Sequence, residues 1–265
     1  MELRVYVLGV DGKRRQLQMI NEKFNFPCGE MNVHVMLEDR EKARDYADIK
    51  FEFTGNESIV ELLLKCDAIQ RMGKYLRVLE MPYVPFSRQD RVMIEGESLS
   101  IKVFADLINN LGFETVIITD PHSDVTPALI DNCKVIAQDE VFYPYLYDKK
   151  DFILISPDAG ALKKINKLAK RTNPLYVIEC SKYRDIKTGE ITGTKVHAND
   201  LMKKDCYIVD DICDGGRTFI EIAKELKLLN CGKIILMVTH GFFTKGLEVF
   251  DGIIDEIYTM KGKVK

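Results

Sequence analysis

The sequence predicts an α/β protein made of two tandem domains, each a parallel sheet flanked by helices. Three observations carry this expectation. Short apolar runs alternate with stretches of helical period along the whole chain, the pattern of βαβ units. Three of these runs end on an aspartate, at Asp120, Asp158 and Asp210, and ligands of open α/β sheets bind at the carboxyl ends of strands. The 265 residues are enough for two cores of ordinary size. A boundary at 135–139 leaves each side its own strands and helices, so the domains are expected at 1–137 and 138–265.

Taken in order, strands are expected at 3–8, at 32–37 with Val33, Val35 and Leu37 on one face, and at 48–53. His34, on the other face, reads as structural or exposed rather than as a ligand. A helix follows at 57–72, carried by Val60, Leu63 and Leu64 and stopped near Gly73. A strand at 75–81 runs into Pro82 and Pro85, which force an irregular loop. A helix at 99–111 stops at Gly112, and the strand 115–119 ends at Asp120-Pro121-His122. The second half repeats the scheme with a strand at 152–155, a helix at 161–170 and a strand at 175–178. Residues 181–194 are polar and read as a loop. After them come a strand at 207–209, a helix at 219–229, a strand at 233–239, a helical piece around Leu247 and a last strand at 256–260.

Composition narrows the class. Hydrophobic residues make up 46% and charged residues 30%, the profile of a folded globular chain. A formal net charge of -3 gives no broad electrostatic case for nucleic acid or an anionic membrane as partner. No run is long and apolar enough for a membrane span, and no secretory signal is expected at the N-terminus. The seven cysteines stand singly, without a Cys-x-x-Cys pair. They read as small core residues of a reduced, cytoplasmic protein rather than as a disulfide framework or a zinc site.

The stretch Asp210-Asp211-Ile212-Cys213-Asp214-Gly215-Gly216-Arg217-Thr218 carries the most chemistry. An apolar strand enters it and a helix leaves it, so free backbone N–H groups and a partial positive charge stand where a phosphate can bind. Gly215 and Gly216 let the backbone come close to that anion. Asp210 and Asp211 suit sugar hydroxyls or a hydrated Mg²⁺. The competing reading is a plain β–turn–helix with solvated acids. Three further groups stand apart from it. Arg88-Gln89-Asp90-Arg91 follows a buried strand and two prolines and could present guanidinium groups to polyphosphate, or be a solvated loop. Asp120-Pro121-His122 could touch a metal–nucleotide complex, or be a capping acid beside an ordinary histidine. Lys182-Tyr183-Arg184 could be a mobile cationic arm closing on a phosphoryl group, or two surface bases.

These segments, together with Ser156-Pro157-Asp158-Ala159-Gly160, Thr239-His240-Gly241 and Phe26-Pro27-Cys28-Gly29-Glu30, resemble those of the ribose-phosphate diphosphokinases (PRPP synthetases). They occur in that family's order over nearly the whole chain. The resemblance implies two tandem type I phosphoribosyltransferase-like domains, the first on the ATP side and the second on the ribose-phosphate side. It implies transfer of the β,γ-diphosphoryl group of ATP to the anomeric hydroxyl of a ribose 5-phosphoryl acceptor, with release of AMP and with Mg²⁺ as cofactor. Lys182 and Arg184 become the catalytic pair. Phe26, Glu30, Arg88, Gln89, Asp90 and His122 become ATP contacts, with Phe26 and Glu30 reaching the adenine held by a neighbouring subunit of a homo-oligomer. Asp210, Asp211, Asp214, Gly215, Gly216, Arg217 and Thr218 hold the ribose 5-phosphoryl end, and Asp120, His122 and Asp158 support the metal.

The chain is a short and divergent member by this resemblance. Cys28 stands where the family has Asp. The phosphate loop reads Asp214-Gly215-Gly216-Arg217-Thr218 where the family usually has Asp-Thr-Ala-Gly-Thr. One hydroxyl donor is lost, space is gained and a cation is added. This is the change expected if the acceptor carries a 5-diphosphate, as ADP-ribose does in NAD⁺ salvage, instead of the monophosphate of ribose 5-phosphate. A phosphoribosyltransferase using PRPP and a base, and a non-catalytic regulatory paralogue, are the competing readings. No Walker-type Gly-x-x-x-x-Gly-Lys-Ser/Thr occurs.

Overall fold

The computed structural model describes residues 5–8, 14–17, 19–37, 46–184 and 191–265, with 5–8, 14–17, 19–21, 37, 182–184 and 191–193 as backbone. The chain divides into two compact units, Met1–Ile136 and Ala137–Lys265. Both are α/β units with parallel sheets.

In the first unit, β1 (Val5–Leu8) and β2 (Arg14–Leu17) form one antiparallel pair, and β3 (Met19–Asn25) and β4 (Met31–Leu37) form another. The strand β5 (Tyr46–Lys50) leads through α1 (Asn56–Arg71) to β6 (Tyr75–Met81). Then α2 (Ser100–Asn110), β7 (Thr115–Thr119), the short α3 (Val125–Leu129) and β8 (Cys133–Ile136) complete a four-stranded sheet of order β5-β6-β7-β8, parallel throughout. Helix α1 buries Ile59, Leu62, Cys66 and Ile69, and α2 buries Ile101, Phe104, Ala105 and Ile108, each a stripe at helical spacing. These meet Ile49, Leu79, Met81 and Ile118 of the sheet in one core. Each such side chain contributes about 1.5–3 kcal/mol on burial.

The second unit opens with α4 (Gln138–Leu146) and continues through β9 (Ile153–Ser156), α5 (Ala159–Thr172), β10 (Tyr176–Arg184) and β11 (Ile191–Val196). It closes with β12 (Cys206–Cys213), α6 (Arg217–Leu228), β13 (Ile234–Gly241), a 3-10 turn Glu248–Phe250, β14 (Glu256–Thr259) and β15 (Gly262–Lys263). The seven strands lie in the order β11-β10-β9-β12-β13-β14-β15, parallel except at the two edges. Successive residues of β12 serve opposite faces. Cys206 and Ile208 pack with Phe219, Ile222 and Leu226 of α6, while Tyr207 and Val209 pack with Phe142 of α4 and Ile165 and Leu168 of α5. Burial on both faces explains why the strand reads as one continuous apolar run.

Two sequence expectations are corrected here. The acids were expected beyond the end of a strand at 207–209, but β12 continues through Asp210 and Asp211 to Cys213 because its pairing with β13 continues to Cys213 opposite Gly241. Lys182 and Arg184 were expected on a loop, but their backbone belongs to β10 and pairs antiparallel with β11. The polar stretch tolerates a strand because only one face of the hairpin is covered. Cys180 and Val196 are buried in the core while Ser181 and Lys195 face away from it. Residues 185–190 of that stretch lie outside the described residues.

Candidate active site

In the second unit the sheet itself makes a crevice. Pairing of β9 with β10 ends at Ser156 opposite Glu179, and pairing with β12 ends at Ile208 opposite Ile155. Both flanking strands run on, β10 to Arg184 and β12 to Cys213, while β9 turns away into α5. At the ordinary strand spacing this leaves a gap of about 10 Å between the extensions of β10 and β12. Its base is the turn Ser156-Pro157-Asp158, fixed by the Ser156 Oγ hydrogen bond to the Asp158 carbonyl at 2.8 Å. The backbone of Lys182 to Arg184 thus flanks one side of the gap, and Asp210 and Asp211 flank the other. This is the carboxyl-end crevice in which open α/β sheets bind ligands.

The acids in the gap are held against their electrostatic preference. Burial, and then the neighbouring carboxylates of Asp211 and Asp158, push the Asp210 carboxyl well above the ordinary carboxylate range. Asp210 Oδ1 also accepts a hydrogen bond of 2.9 Å from the Asp211 backbone N–H. Asp211 is buried. Asp158 caps α5, its Oδ1 accepting from Ala161 N at 3.2 Å. These neighbouring carboxylates supply oxygen atoms that suit sugar hydroxyls or, one or two at a time, a hydrated divalent cation.

The loop after β12 is shaped by contacts that need a glycine at Gly216. Gly216 caps α6 in the left-handed region at φ 79°, and a Cβ there would stand 2.4 Å from Cζ of Phe250. A Cβ on Gly215 would touch the side-chain methylenes of Lys245 at 3.5 Å. The segment after β13 is bolted to this loop. Thr244 Oγ1 donates to Asp214 Oδ1 at 2.7 Å, Thr244 N donates to the Asp214 carbonyl at 3.2 Å, and Phe242 N donates to the Cys213 carbonyl at 2.8 Å. Arg217 opens α6 and is exposed, Thr218 is half-buried, and Thr239 and His240 are buried at the end of β13. Sequence reasoning missed Thr244, Lys245 and Phe250 as parts of the loop's surroundings. No local pattern marks them, since they meet the loop only because β13 lies beside β12.

In the first unit the structure brings two sequence segments together. Asp90 is buried, and its carboxylate accepts from Arg91 Nε at 2.8 Å and Nη2 at 3.3 Å. Arg91, the Ser123 side chain and the nearby His122 hold the Asp90 carboxyl down to about 2. Asp90 therefore links the Arg88–Arg91 segment to the Asp120–His122 segment, leaving Arg88 and Gln89 exposed beside it. The Thr119 N–H donates to the Pro82 carbonyl at 3.1 Å and draws the two strand ends together. Asp120, buried, has φ 43°, a left-handed conformation that non-glycine residues adopt at some energetic cost. Phe26 and Glu30 are exposed on the turn between β3 and β4, closed by Phe26 N to the Glu30 carbonyl at 2.7 Å. They line a cavity of about 560 Å³ against α1. Lys23 of β3 binds Glu61 of α1 at 3.2 Å and ties this hairpin to the helix, and Lys65 one turn along α1 also binds Glu61.

Among the described residues no group of three or more His, Cys, Asp or Glu side chains converges as a ready metal cage. The cysteines are free thiols, and burial pushes Cys66, Cys206 and Cys213 up to about 12, as befits inert core residues. No helix among the described residues is long and apolar enough to cross a membrane.

A strand–acid pair–glycine loop–helix beside a carboxyl-end crevice defines a phosphoribosyltransferase-type unit. The family model for the phosphoribosyl transferase domain matches residues 124–249, and that for the N-terminal domain of ribose phosphate pyrophosphokinase matches residues 23–112. The chain belongs to the ribose-phosphate pyrophosphokinase family. It is 31% identical to the ribose-phosphate pyrophosphokinase of Pyrococcus furiosus over 243 residues, 88% of this chain and 82% of that one. It is 32% identical to that of Mycoplasma genitalium over 74% of this chain, a match spanning 61% of the relative, and the Mycoplasma pneumoniae relative is spanned to 58%. The crystal structure of phosphoribosylpyrophosphate synthetase from Mycobacterium smegmatis shares the fold with a TM-score of 0.75 at 20% identity, over 91% of this chain and 80% of that chain.

Proposed function

We propose that the protein is a diphosphokinase that moves the β,γ-diphosphoryl group of ATP onto the anomeric hydroxyl of a ribose 5-phosphoryl acceptor and releases AMP. The observation that carries this reading is the crevice over β9, with crowded carboxylates on one flank and the Lys182-to-Arg184 backbone on the other. In a reaction of this kind most of the acceleration comes from positioning and charge stabilisation, without a protein nucleophile. Asp210 and Asp211 accept hydrogen bonds from the ribose hydroxyls and orient the attacking oxygen in line with the β-phosphorus. Asp214, Gly215, Gly216 and Thr218 surround the 5-phosphoryl end, where the first N–H groups of α6 meet its charge. Arg88, Gln89 and His122 hold the triphosphate, with Asp90 fixing their segments. Phe26 and Glu30 meet the adenine of a neighbouring subunit. Lys182 and Arg184 neutralise the charge spreading over the transferring group.

The donor set fits Mg²⁺, which binds through one or two carboxylates and completes its shell with water and substrate phosphates. In the second unit Asp158 would support such an ion, and in the first unit Asp120 and His122 would. When bound it supplies charge neutralisation and alignment of the phosphate chain. For the acceptor, the exposed Arg217 and the absence of a hydroxyl side chain at Gly215 support ADP-ribose over ribose 5-phosphate: the loop offers a cation where a shorter phosphate needs a hydroxyl donor. The test offers ATP and Mg²⁺ with each acceptor separately and follows AMP by chromatography. AMP formed faster with ADP-ribose supports the full reading, and AMP formed faster with ribose 5-phosphate retains the reaction but reverses the acceptor. Nucleobase exchange from PRPP without ATP would instead make the protein a phosphoribosyltransferase. No AMP with either acceptor would leave a binding paralogue.

A further inference from the structure

We propose that Lys245 is a specificity residue of this pocket, placed to meet a second phosphoryl group attached through the acceptor's 5-oxygen. The inference rests on the reading of the Asp214–Thr218 loop as the 5-phosphoryl site and adds to it a residue from a distant part of the chain. The stem of Lys245 lies along Gly215, with Cδ and Cε both 3.5 Å from the position a Cβ there would take. The two adjacent glycines have different neighbours: Gly216 makes room for the Phe250 ring, while Gly215 has the lysine stem at ordinary van der Waals distance.

The backbone that carries Lys245 is fixed relative to the loop. Thr244 is bound to Asp214 through both its side chain and its N–H, the Gly246 N–H closes a turn on the Phe243 carbonyl at 2.8 Å, and Phe243 packs edge-on against Phe250 at 6.1 Å. Phe250 in turn lies beneath Gly216. Any ligand that seats in the loop consequently finds Lys245 at a set place.

The charge at the loop is not consumed by the protein. Both Arg217 and Lys245 are exposed, and among the described residues neither side chain makes a hydrogen bond or an ion pair. A phosphate monoester carries up to two negative charges, which the N–H groups of α6 and Arg217 can meet. A compact ammonium with three rotatable donors beside the loop suits one more phosphoryl group further along a diphosphate.

The experiment uses the full chain and reads the ratio of two affinities by calorimetry. ADP-ribose is compared with ribose 5-phosphate, and inorganic diphosphate with inorganic phosphate, in the unmodified protein and in Lys245→Met, which keeps the apolar stem over Gly215. The diphosphate-to-monophosphate ratio is expected to fall about tenfold in Lys245→Met, the effect of losing one charge-assisted contact, and to recover largely in Lys245→Arg. A ratio that stays within twofold in Lys245→Met, or an unmodified protein that holds both members of each pair equally, overturns the inference. Failure of the proposed reaction is read separately, as absence of AMP, and a ratio that still depends on Lys245 would then count against the reaction and for the pocket.

Discussion

Gly216→Ala should be strongly destabilising, although it adds a single methyl group near the pocket. The new Cβ would sit 2.4 Å from Cζ and 2.8 Å from Cε1 of Phe250, where carbon atoms normally stay about 3.5–4.0 Å apart. The ring cannot retreat, because Phe250 is fully buried and packed against Phe243. Overpacking of this kind costs about 1–3 kcal/mol. The backbone adds its own share, since alanine at φ 79° loses about 1–2 kcal/mol relative to glycine. The sum, about 2–5 kcal/mol, should appear as a lower urea midpoint for the transition of the second unit. Phe250→Leu removes the ring that the methyl strikes, so the double variant should recover the steric part and leave the backbone part. A coupling energy of about 1 kcal/mol or more is expected from that cycle. If Gly216→Ala changes stability by less than about 0.5 kcal/mol, or if the two substitutions are additive, the close packing of loop on ring is wrong.

Asp210→Asn should raise stability at neutral pH by about 1–2 kcal/mol while abolishing activity, the trade commonly seen at strained functional positions. The sign follows from the crowding. Folding raises Asp210 above its ordinary 3.8, so its contribution is complete below that value and is lost as pH rises through the folded one. The difference between the variant and the parent should therefore shrink on acidification, and a variant less stable at pH 7 would contradict the crowding. Asp90 behaves in the opposite sense. Its folded value of about 2 lies below 3.8, so its contribution is present above 3.8 and is lost as pH falls through about 2. Asp90→Asn should cost ~1–2 kcal/mol at pH 7, discounted for the exposed Arg91 partner, and equal stabilities across that range would dismiss the link to Arg91 and Ser123. Lys182→Ala should lower kcat by orders of magnitude with a smaller change in KM, and an effect on KM alone would remove it from the transferring step.

Much of the fold is legible because its punctuation is local. The strand at 75–81 lies between Gly73 and Pro82, and that at 115–119 between Gly112 and Asp120-Pro121, and β6 and β7 have those limits. The stripes of α1 and α2 are equally plain. What the sequence hides depends on neighbours in space. Helix α4 carries Pro144 within it, a residue that argues against a helix when read alone. The extension of β12 through two aspartates opposes their low strand propensity, and pairing with β13 overrides it. The polar hairpin of β10 and β11 shows only a few apolar residues because it needs only one covered face. The acids and glycines of the loop were visible as a motif. Their latch to Thr244 and the link from Asp90 to Ser123 join residues 30 and 33 positions apart, beyond the reach of any local pattern.

The most direct measurement follows the label from ATP carrying ³²P at the β-phosphorus, with Mg²⁺ and either ADP-ribose or ribose 5-phosphate. If the two phosphoryl groups move together onto the sugar's C1 oxygen, the label leaves the nucleotide, unlabelled AMP accumulates and the labelled product releases diphosphate on mild acid hydrolysis. Label retained in ADP, or in ATP after prolonged incubation with both acceptors, would contradict diphosphoryl transfer as the work of this crevice.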